Sequence, residues 1–254
     1  MIRQIDAERL TEATARLYVQ ACLKLPEHVE RKLYDFGNPY IIENFEKNGI
    51  LPLCQDTGMC AVYLAVGQDV HIIGSIPEAV NEGARQAVKN GYLRSSIVAD
   101  PLRRTNTGDN TPACIYTELV PGDSVKITVV PRGFGCENKA RIKMFAPAEG
   151  LEGVKSFVLE TARLAVPDAC PPVTIGVGLG GNFDRAAYLS KKACLVPGPN
   201  PDPFYAELEE ELFLQMKKYS IGVHILTAPT HIAGLPCAVS VGCHSLRCAE
   251  EVLM

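Results

Sequence analysis

No two of the ten cysteines stand as Cys-x-x-Cys anywhere in the 254 residues, so neither a zinc ribbon nor a ferredoxin-type cysteine run can form from neighbouring positions. Any metal held by cysteine would have to gather its ligands from distant parts of the chain. Charge of one sign is also in short supply. The 25 Lys and Arg against 29 Asp and Glu leave a net charge of −4, which suggests no nucleic-acid partner. No apolar run is long and uninterrupted enough to cross a bilayer, and the opening Met1-Ile-Arg-Gln-Ile-Asp6 lacks the apolar core of a signal peptide. Internal repeats and low-complexity tracts are lacking too. These absences lead us to expect a cytoplasmic protein with no membrane or nucleic-acid partner, its cysteines reduced as buried thiols or metal ligands.

What is present is the composition of an ordinary globular protein, 47% hydrophobic and 21% charged, with enough core to fold without disulfide or metal staples. Residues 6–47 read as two helices. Leu10, Ala13, Leu17 and Ala21 form one apolar stripe and Val29, Leu33 and Phe36 another, broken near Asn38-Pro39. Together they are expected to form a helical layer over about 1–50. Apolar, β-branched runs at Met59–Val66 and Val70–Ile73 predict strands, followed by a helix over Pro77–Gly91 with proline near its first turn. Ala113–Val120 and Ser124–Val130, either side of Pro121-Gly122-Asp123, read as a hairpin. A helix at Glu152–Leu164 comes next, then a strand at Val173–Val177, helices at Phe183–Ala193 and Tyr205–Tyr219, and apolar runs at Ile221–Leu226 and Ala238–Val241. The reading is an α+β protein of mixed helices and sheets, one domain over 1–254, with the proline-rich segment 197–203 as a rigid loop. Gly176-Val-Gly178-Leu-Gly-Gly181 matches the letters of the dinucleotide fingerprint. However, the region where a second strand should end in an acidic residue is Pro197-Gly-Pro-Asn-Pro, so a tight strand-to-helix turn is the better account.

Three cysteines lie in turn-rich settings: Leu51-Pro-Leu-Cys54-Gln-Asp-Thr-Gly58, Asp168-Ala-Cys170-Pro-Pro172 and Val241-Gly-Cys243-His-Ser245. Proline and glycine in such loops hold the backbone so that a thiolate can point at a shared centre. Convergence does not follow from spacing, and a buried reduced thiol is the ordinary alternative for any single cysteine. Asn106-Thr-Gly-Asp-Asn-Thr-Pro112, Gly133-Phe-Gly-Cys-Glu-Asn138 and Pro229-Thr-His231-Ile-Ala-Gly-Leu-Pro236 complete a set that runs in order from about Pro52 to Arg247. Together these segments resemble the class I fumarase and L-tartrate dehydratase family, specifically its separate α subunit, which corresponds to the N-terminal part of the single-chain enzymes.

The resemblance implies the N-terminal catalytic domain fold of the class I fumarases and a 4Fe-4S cluster on Cys54, Cys170 and Cys243. With only these ligands one iron stays open and can act as a Lewis acid on a substrate hydroxyl. Cys136 is the rival ligand, because some relatives also carry cysteine there and others carry serine. Cys22, Cys60, Cys114, Cys194, Cys237 and Cys248 match no ligand position and are read as core thiols. Arg94 matches an arginine that grips a substrate carboxylate, a task suited to its planar fork; the plain alternative is a surface arginine. Gln55 and Asp56 match substrate-contacting positions, Asp56 being assigned to catalysis, although an isolated Gln-Asp-Thr-Gly would pass for a turn. Gly135 matches a glycine whose amide approaches the substrate, but Arg132-Gly-Phe-Gly here replaces the common Lys-Gly-Gly-Gly. His231 matches a catalytic histidine that hydrogen-bonds or shuttles a proton, with a satisfied core histidine as its alternative. His28, His71, His224 and His244 are less favoured.

The implied activity is reversible hydration of the small dicarboxylate fumarate to malate. In the family the base, a threonine, and further cationic contacts reside in a separate β subunit, so the chain is expected to work in a hetero-oligomer and to be inactive alone. L-Tartrate dehydration is the alternative within the family. From other classes come a non-catalytic zinc-binding scaffold and a nicotinamide-dependent oxidoreductase built on the glycine turn.

Overall fold

A computed structural model describes residues 2–39, 41–43 and 51–254, so the part of the N-terminal helical expectation that falls on residues 40 and 44–50 lies outside the described residues. The chain divides into two units, one comprising Met1–Pro26, Glu43–Phe134 and Arg247–Met254 and the other Glu27–Ile42 and Gly135–Leu246. Each mixes helices with a sheet, and the α+β class read from the sequence is the class found. No helix among the described residues is long and apolar enough to cross a membrane.

The first unit opens with strand β1 (Arg3–Asp6), whose last residue caps helix α1 (Ala7–Leu23) by accepting the Glu8 amide on its side chain at 2.9 Å. Leu10, Ala13, Thr14, Leu17, Tyr18 and Ala21 repeat at helical spacing and are buried. Strands β2 (Met59–Gly67) and β3 (Val70–Ile73) follow, β3 pairing in parallel with β1. Helix α3 (Ile76–Asn90) is capped by Ser75 and has proline in its first turn. It crosses α1 at Gly83, where a side chain's Cβ would lie 2.5 Å from the Thr11 carbonyl oxygen. Glycine is needed here for close helix approach rather than for chain flexibility.

Strands β4 (Cys114–Val120) and β5 (Val125–Arg132) correct the expected hairpin. They lie on opposite sides of β2, parallel and antiparallel to it respectively, and β10 (Ala249–Leu253) completes the order β10-β5-β2-β4. The Pro121-Gly122-Asp123 turn closes on the turn between β2 and β3 rather than on itself. Gly67 N donates to Ser124 O at 2.9 Å and Asp69 N to Gly122 O at 3.0 Å. A Cβ on Gly67 would meet Gly122 O at 2.3 Å, so the two turns nest and β2 threads between the runs that local pattern alone would pair.

In the second unit, helix α2 (Glu27–Phe36) belongs with a sheet of order β6-β9-β7-β8, made of β6 (Arg141–Phe145), β7 (Val173–Gly181), β8 (Ser220–Thr230) and β9 (Leu235–Gly242). The odd residues of β7, Val173 to Leu179, share an apolar core with α5 (Gly150–Ala165) and α7 (Pro203–Met216), while α4 (Phe134–Glu137) is a single turn. The even positions receive α6 (Phe183–Ala193). A Cβ on Gly176 would meet Ser190 O at 2.2 Å and one on Gly178 would meet Ala186 O at 2.1 Å. These two glycines therefore lie inside the strand and let the helix down onto it, which corrects the turn reading. The turn itself is made by Gly180 (φ +82°) and Gly181 (φ +68°). Buried Glu209 ties the proline-rich loop to β8 by accepting the amides of Asn200 (3.1 Å) and Ile225 (2.6 Å).

His224, buried on β8, accepts from the Lys32 ammonium at 3.2 Å across Nε2. Burial first, then the charges of Lys32 and His28, pushes its pKa down to about 4 from 6.5. Between those values the unfolded chain binds a proton that the folded one refuses. Stability is thus full above about pH 6.5 and falls as pH drops towards 4, by up to ~3 kcal/mol. Urea unfolding at stepped pH should show this loss in the native chain and a shallower one in His224→Gln; equal slopes would contradict the assignment.

Candidate active site

In the first unit the segment Cys54–Gly58 is pinned from below. Tyr18 Oη donates to Gly58 O at 2.7 Å and Leu53 N donates to Cys22 O at 2.8 Å. Burial, the leading cause, raises the Tyr18 hydroxyl's pKa, so the group stays a neutral donor. Asp56 commits both carboxylate oxygens to backbone amides, Oδ1 to Gly58 N and Oδ2 to Phe134 N, each at 3.0 Å. Gly133 is where the second loop comes closest, since a Cβ there would stand 3.1 Å from Asp56 Oδ2. With the backbone held in this way, Gln55 is exposed and Cys54 half-buried, the Cys54 Sγ lying 3.6 Å from Gln55 Oε1.

The same loop fixes Arg94. Thr57 Oγ1 accepts the Arg94 amide at 3.0 Å and donates to its carbonyl at 3.2 Å. Asn110, fully buried, donates Nδ2 to the same carbonyl at 2.9 Å and to Tyr18 Oη at 3.3 Å, while its Oδ1 accepts Ser96 N at 2.6 Å. The guanidinium of Arg94 is exposed and has no partner among the described residues. Backbone fixed and fork free is the arrangement that receives a carboxylate with little left to order.

Arg247 was passed over in the sequence reading except as the limit of the resemblance. It is 3% exposed, one nitrogen donates to Asp56 O, and its Nε and Nη1 have no partner among the described residues. A buried guanidinium without a carboxylate is costly unless an anion comes to it. Its charge already favours the ionised form of the nearby Cys22 thiol, although burial dominates and raises that pKa to about 11.

In the second unit, the sulfur of half-buried Cys243 packs against the core that holds Cys136 and lies 3.1 Å from Ser245 Oγ. The hydrogen bond from Cys136 is the largest influence on Cys243. Together with Ser245 and the charge of His244 it outweighs burial and holds the Cys243 thiol well below its ordinary pKa. Cys136 is buried and its sulfur also reaches Ala169 O at 3.5 Å. Cys170 is exposed, with its carbonyl accepting the His244 amide at 3.2 Å, which ties the Cys170 and Cys243 loops together. His231 sits in the exposed turn after β8. Its Nδ1 accepts Ala233 N at 3.1 Å, so in the neutral ring the proton resides on Nε2. A Cβ on Gly135 would meet only Asp168 O, at an ordinary 3.5 Å.

Cys54 belongs to the first unit, and Cys136, Cys170, Cys243 and His231 to the second. Among the described residues, no three His, Cys, Asp or Glu side chains close around a point as ligands of a single ion would. The donor chemistry fits a cluster: Cys243 is biased to thiolate, Cys54 and Cys170 are accessible, and an uncompensated buried cation lies under the Cys54 loop.

Asn110, Thr57 and Arg247 carry positional duties that the sequence reading did not assign. Removing the Asn110 carboxamide leaves Ser96 N without its acceptor and takes one of three donors from Arg94 O, which should cost about 1–3 kcal/mol. Asn110→Ala is therefore expected to lower stability by that amount and to quicken amide exchange across residues 92–109, measured by mass spectrometry. Unchanged exchange in that segment would show that the Asn110 bonds do not hold the Arg94 loop.

The family model described as Fumarate hydratase (Fumerase) matches residues 11–252. The putative L(+)-tartrate dehydratase subunit alpha of Methanocaldococcus jannaschii is 34% identical over 273 residues, covering 94% of this chain and 95% of that protein. The L(+)-tartrate dehydratase subunit alpha of Escherichia coli strain UTI89 is 31% identical over 276 residues, covering 96% and 91%. With the family model spanning nearly the whole chain and relatives above 30% identity matched end to end, the chain belongs to the fumarate hydratase (Fumerase) family of hydro-lyases.

Proposed function

We propose that this chain is the cluster-binding α subunit of a hydro-lyase that interconverts fumarate and malate, with a separate β subunit completing the site. The observation that carries the reading is the exposed fork of Arg94, without a partner among the described residues and held at its backbone by Thr57 and Asn110, alongside the Cys243 sulfur set 3.1 Å from the Ser245 hydroxyl. Cys54, Cys170 and Cys243 would hold a 4Fe-4S cluster. When bound, a cluster with three protein ligands offers one open iron as a Lewis acid towards the malate hydroxyl.

The protein's own part is binding and orientation. Arg94 takes one substrate carboxylate in its fork, where lysine could offer only a point charge. Gln55 presents its carboxamide beside Cys54, and Asp56, locked by Gly58 N and Phe134 N, keeps that stretch in one conformation. Gly135 leaves its amide unobstructed by a side chain. His231, with Nδ1 occupied, has Nε2–H to offer to a substrate oxygen. Within this proposal Cys136 is read as a neighbour that supports the Cys243 sulfur and is not counted among the ligands. The names of the relatives favour a second reading, L(+)-tartrate dehydration, in which the substrate carries one more hydroxyl.

Anaerobic reconstitution with iron and sulfide should give a brown protein with about four irons per chain, and Ser in place of Cys54, Cys170 or Cys243 should each reduce retention while Cys136→Ser retains iron. A chain that stays colourless and iron-free under those conditions would sink the cluster assignment. With a candidate β subunit added, fumarate consumption followed by absorbance, against production of oxaloacetate from L-tartrate, decides the substrate.

Arg94→Lys in that loaded complex should lower kcat/KM by roughly 10-fold or more, mainly through KM, because the bidentate contact is lost. An unaltered kcat/KM would remove Arg94 from the substrate site.

A further inference from the structure

A cleft of about 520 Å³ opens in the second unit against α2, the C-terminal end of α7 and the start of β8, lined by Lys32, Asp35, Phe36, Phe213, Lys217 and Lys218 among others. None of these residues takes part in the site described above. Lys217 and Lys218 follow the last turn of α7, where cations favour the helix dipole. That accounts for two exposed lysines but not for the third. Lys32 is half-buried on α2, and among the described residues its ammonium is hydrogen-bonded only to the neutral ring of His224, at 3.2 Å. Burial disfavours its charge, and the more distant Glu209 compensates only in part; the Glu209 oxygens are already bonded to Asn200 and Ile225. Among the described residues Asp35, Lys217 and Lys218 form no ion pair. The cleft thus holds three ammonium groups against one carboxylate, beside two half-buried phenyl rings.

A cation partly removed from water with no anion beside it lowers the stability of the free protein and is relieved by a bound anion. The volume suits a small molecule of several hundred Å³, and the rings offer stacking faces. We propose that this cleft binds a nucleoside phosphate, its phosphate on Lys32, Lys217 and Lys218, its base against Phe36 and Phe213, and Asp35 accepting from a sugar hydroxyl or exocyclic amine. The inference does not rest on the hydro-lyase reading, and its test needs no cluster.

Calorimetric titration of the full chain with ADP, inorganic phosphate, adenosine and succinate in turn tests it. ADP should bind at least about tenfold more tightly than any of the other three. Lys217→Gln with Lys218→Gln, both on the exposed surface, should weaken ADP about tenfold and flatten its salt dependence, and Phe213→Ala should weaken ADP while leaving phosphate unchanged. The proposal is overturned if ADP gives no binding heat at millimolar concentration, if phosphate or succinate binds as tightly as ADP, or if the double lysine variant, folded by circular dichroism, binds ADP with native affinity.

Discussion

The Asn110 carboxamide is the point from which the first unit's chemistry is arranged. Fully buried, it joins a helix residue, Tyr18, to the backbone of the loop that carries Arg94. Remove it and Arg94 O keeps the Thr57 and Ser96 hydroxyls, while Ser96 N loses its acceptor. Buried polar groups with every valence met hold one geometry; the same groups half met would favour others. The hydroxyl of Tyr18 extends the arrangement to Gly58, and through Asp56 it reaches Phe134. A single set of hydrogen bonds therefore spans from the middle of α1 to the loop that ends β5, and the helix pair crossing at Gly83 is its foundation.

The second unit solves a different problem. Its sheet must accept a helix on each face, and the face towards α6 has side chains removed at Gly176 and Gly178 so that the two backbones nearly touch. This keeps β7 rigid, and β9, antiparallel to it, delivers Gly242 and Cys243 at its end. Rigidity there bears on chemistry, since a thiol whose pKa depends on Cys136 and Ser245 must keep both at a fixed distance. A sulfur that accepts a hydrogen bond from another thiol is also less electron-rich towards a metal, so Cys136 would tune whatever Cys243 binds.

How far this was legible in the sequence differs by element. Helix α1 declared itself through the stripe Leu10, Ala13, Leu17 and Ala21, because a helix packed on one face writes its period locally. The β4 and β5 runs were equally visible, yet their partner was not. Strand pairing is decided by which segment inserts between them, and nothing in Pro121-Gly122-Asp123 tells that its amides and carbonyls will be used by Gly67 and Asp69. Strands β1, β6 and β10 went unread because each is only four or five residues long and carries two charged residues, as in Arg141-Ile-Lys-Met-Phe145. At the site, Cys54, Gln55 and Arg94 stand out as residue types suited to chemistry. Thr57 and Asn110 act by bonding backbone 37 and 16 residues away, a duty that leaves no periodic trace.

The division between these two sets of residues has a physical reason. The Arg94 fork and the Nε2 face of His231 are exposed and without partners among the described residues, and Gln55 is exposed beside the Cys54 sulfur, while Thr57, Asn110 and Arg247 are buried. A group that is to receive a ligand, as proposed for Arg94, must have its own bonds free, but if its backbone were equally free the ordering entropy would fall on the binding step. Placing that cost in folding, where hydrophobic burial around α1 and α3 already drives the chain together, leaves only side-chain rotation to be lost when substrate arrives. Arg247 is the exception. Buried yet short of partners on two nitrogens, it holds a positive charge that folding alone does not compensate. An anionic centre beside the Cys54 loop would relieve it, so the stability of this unit and occupancy of that centre should be linked in the manner of any ligand that binds only the folded state.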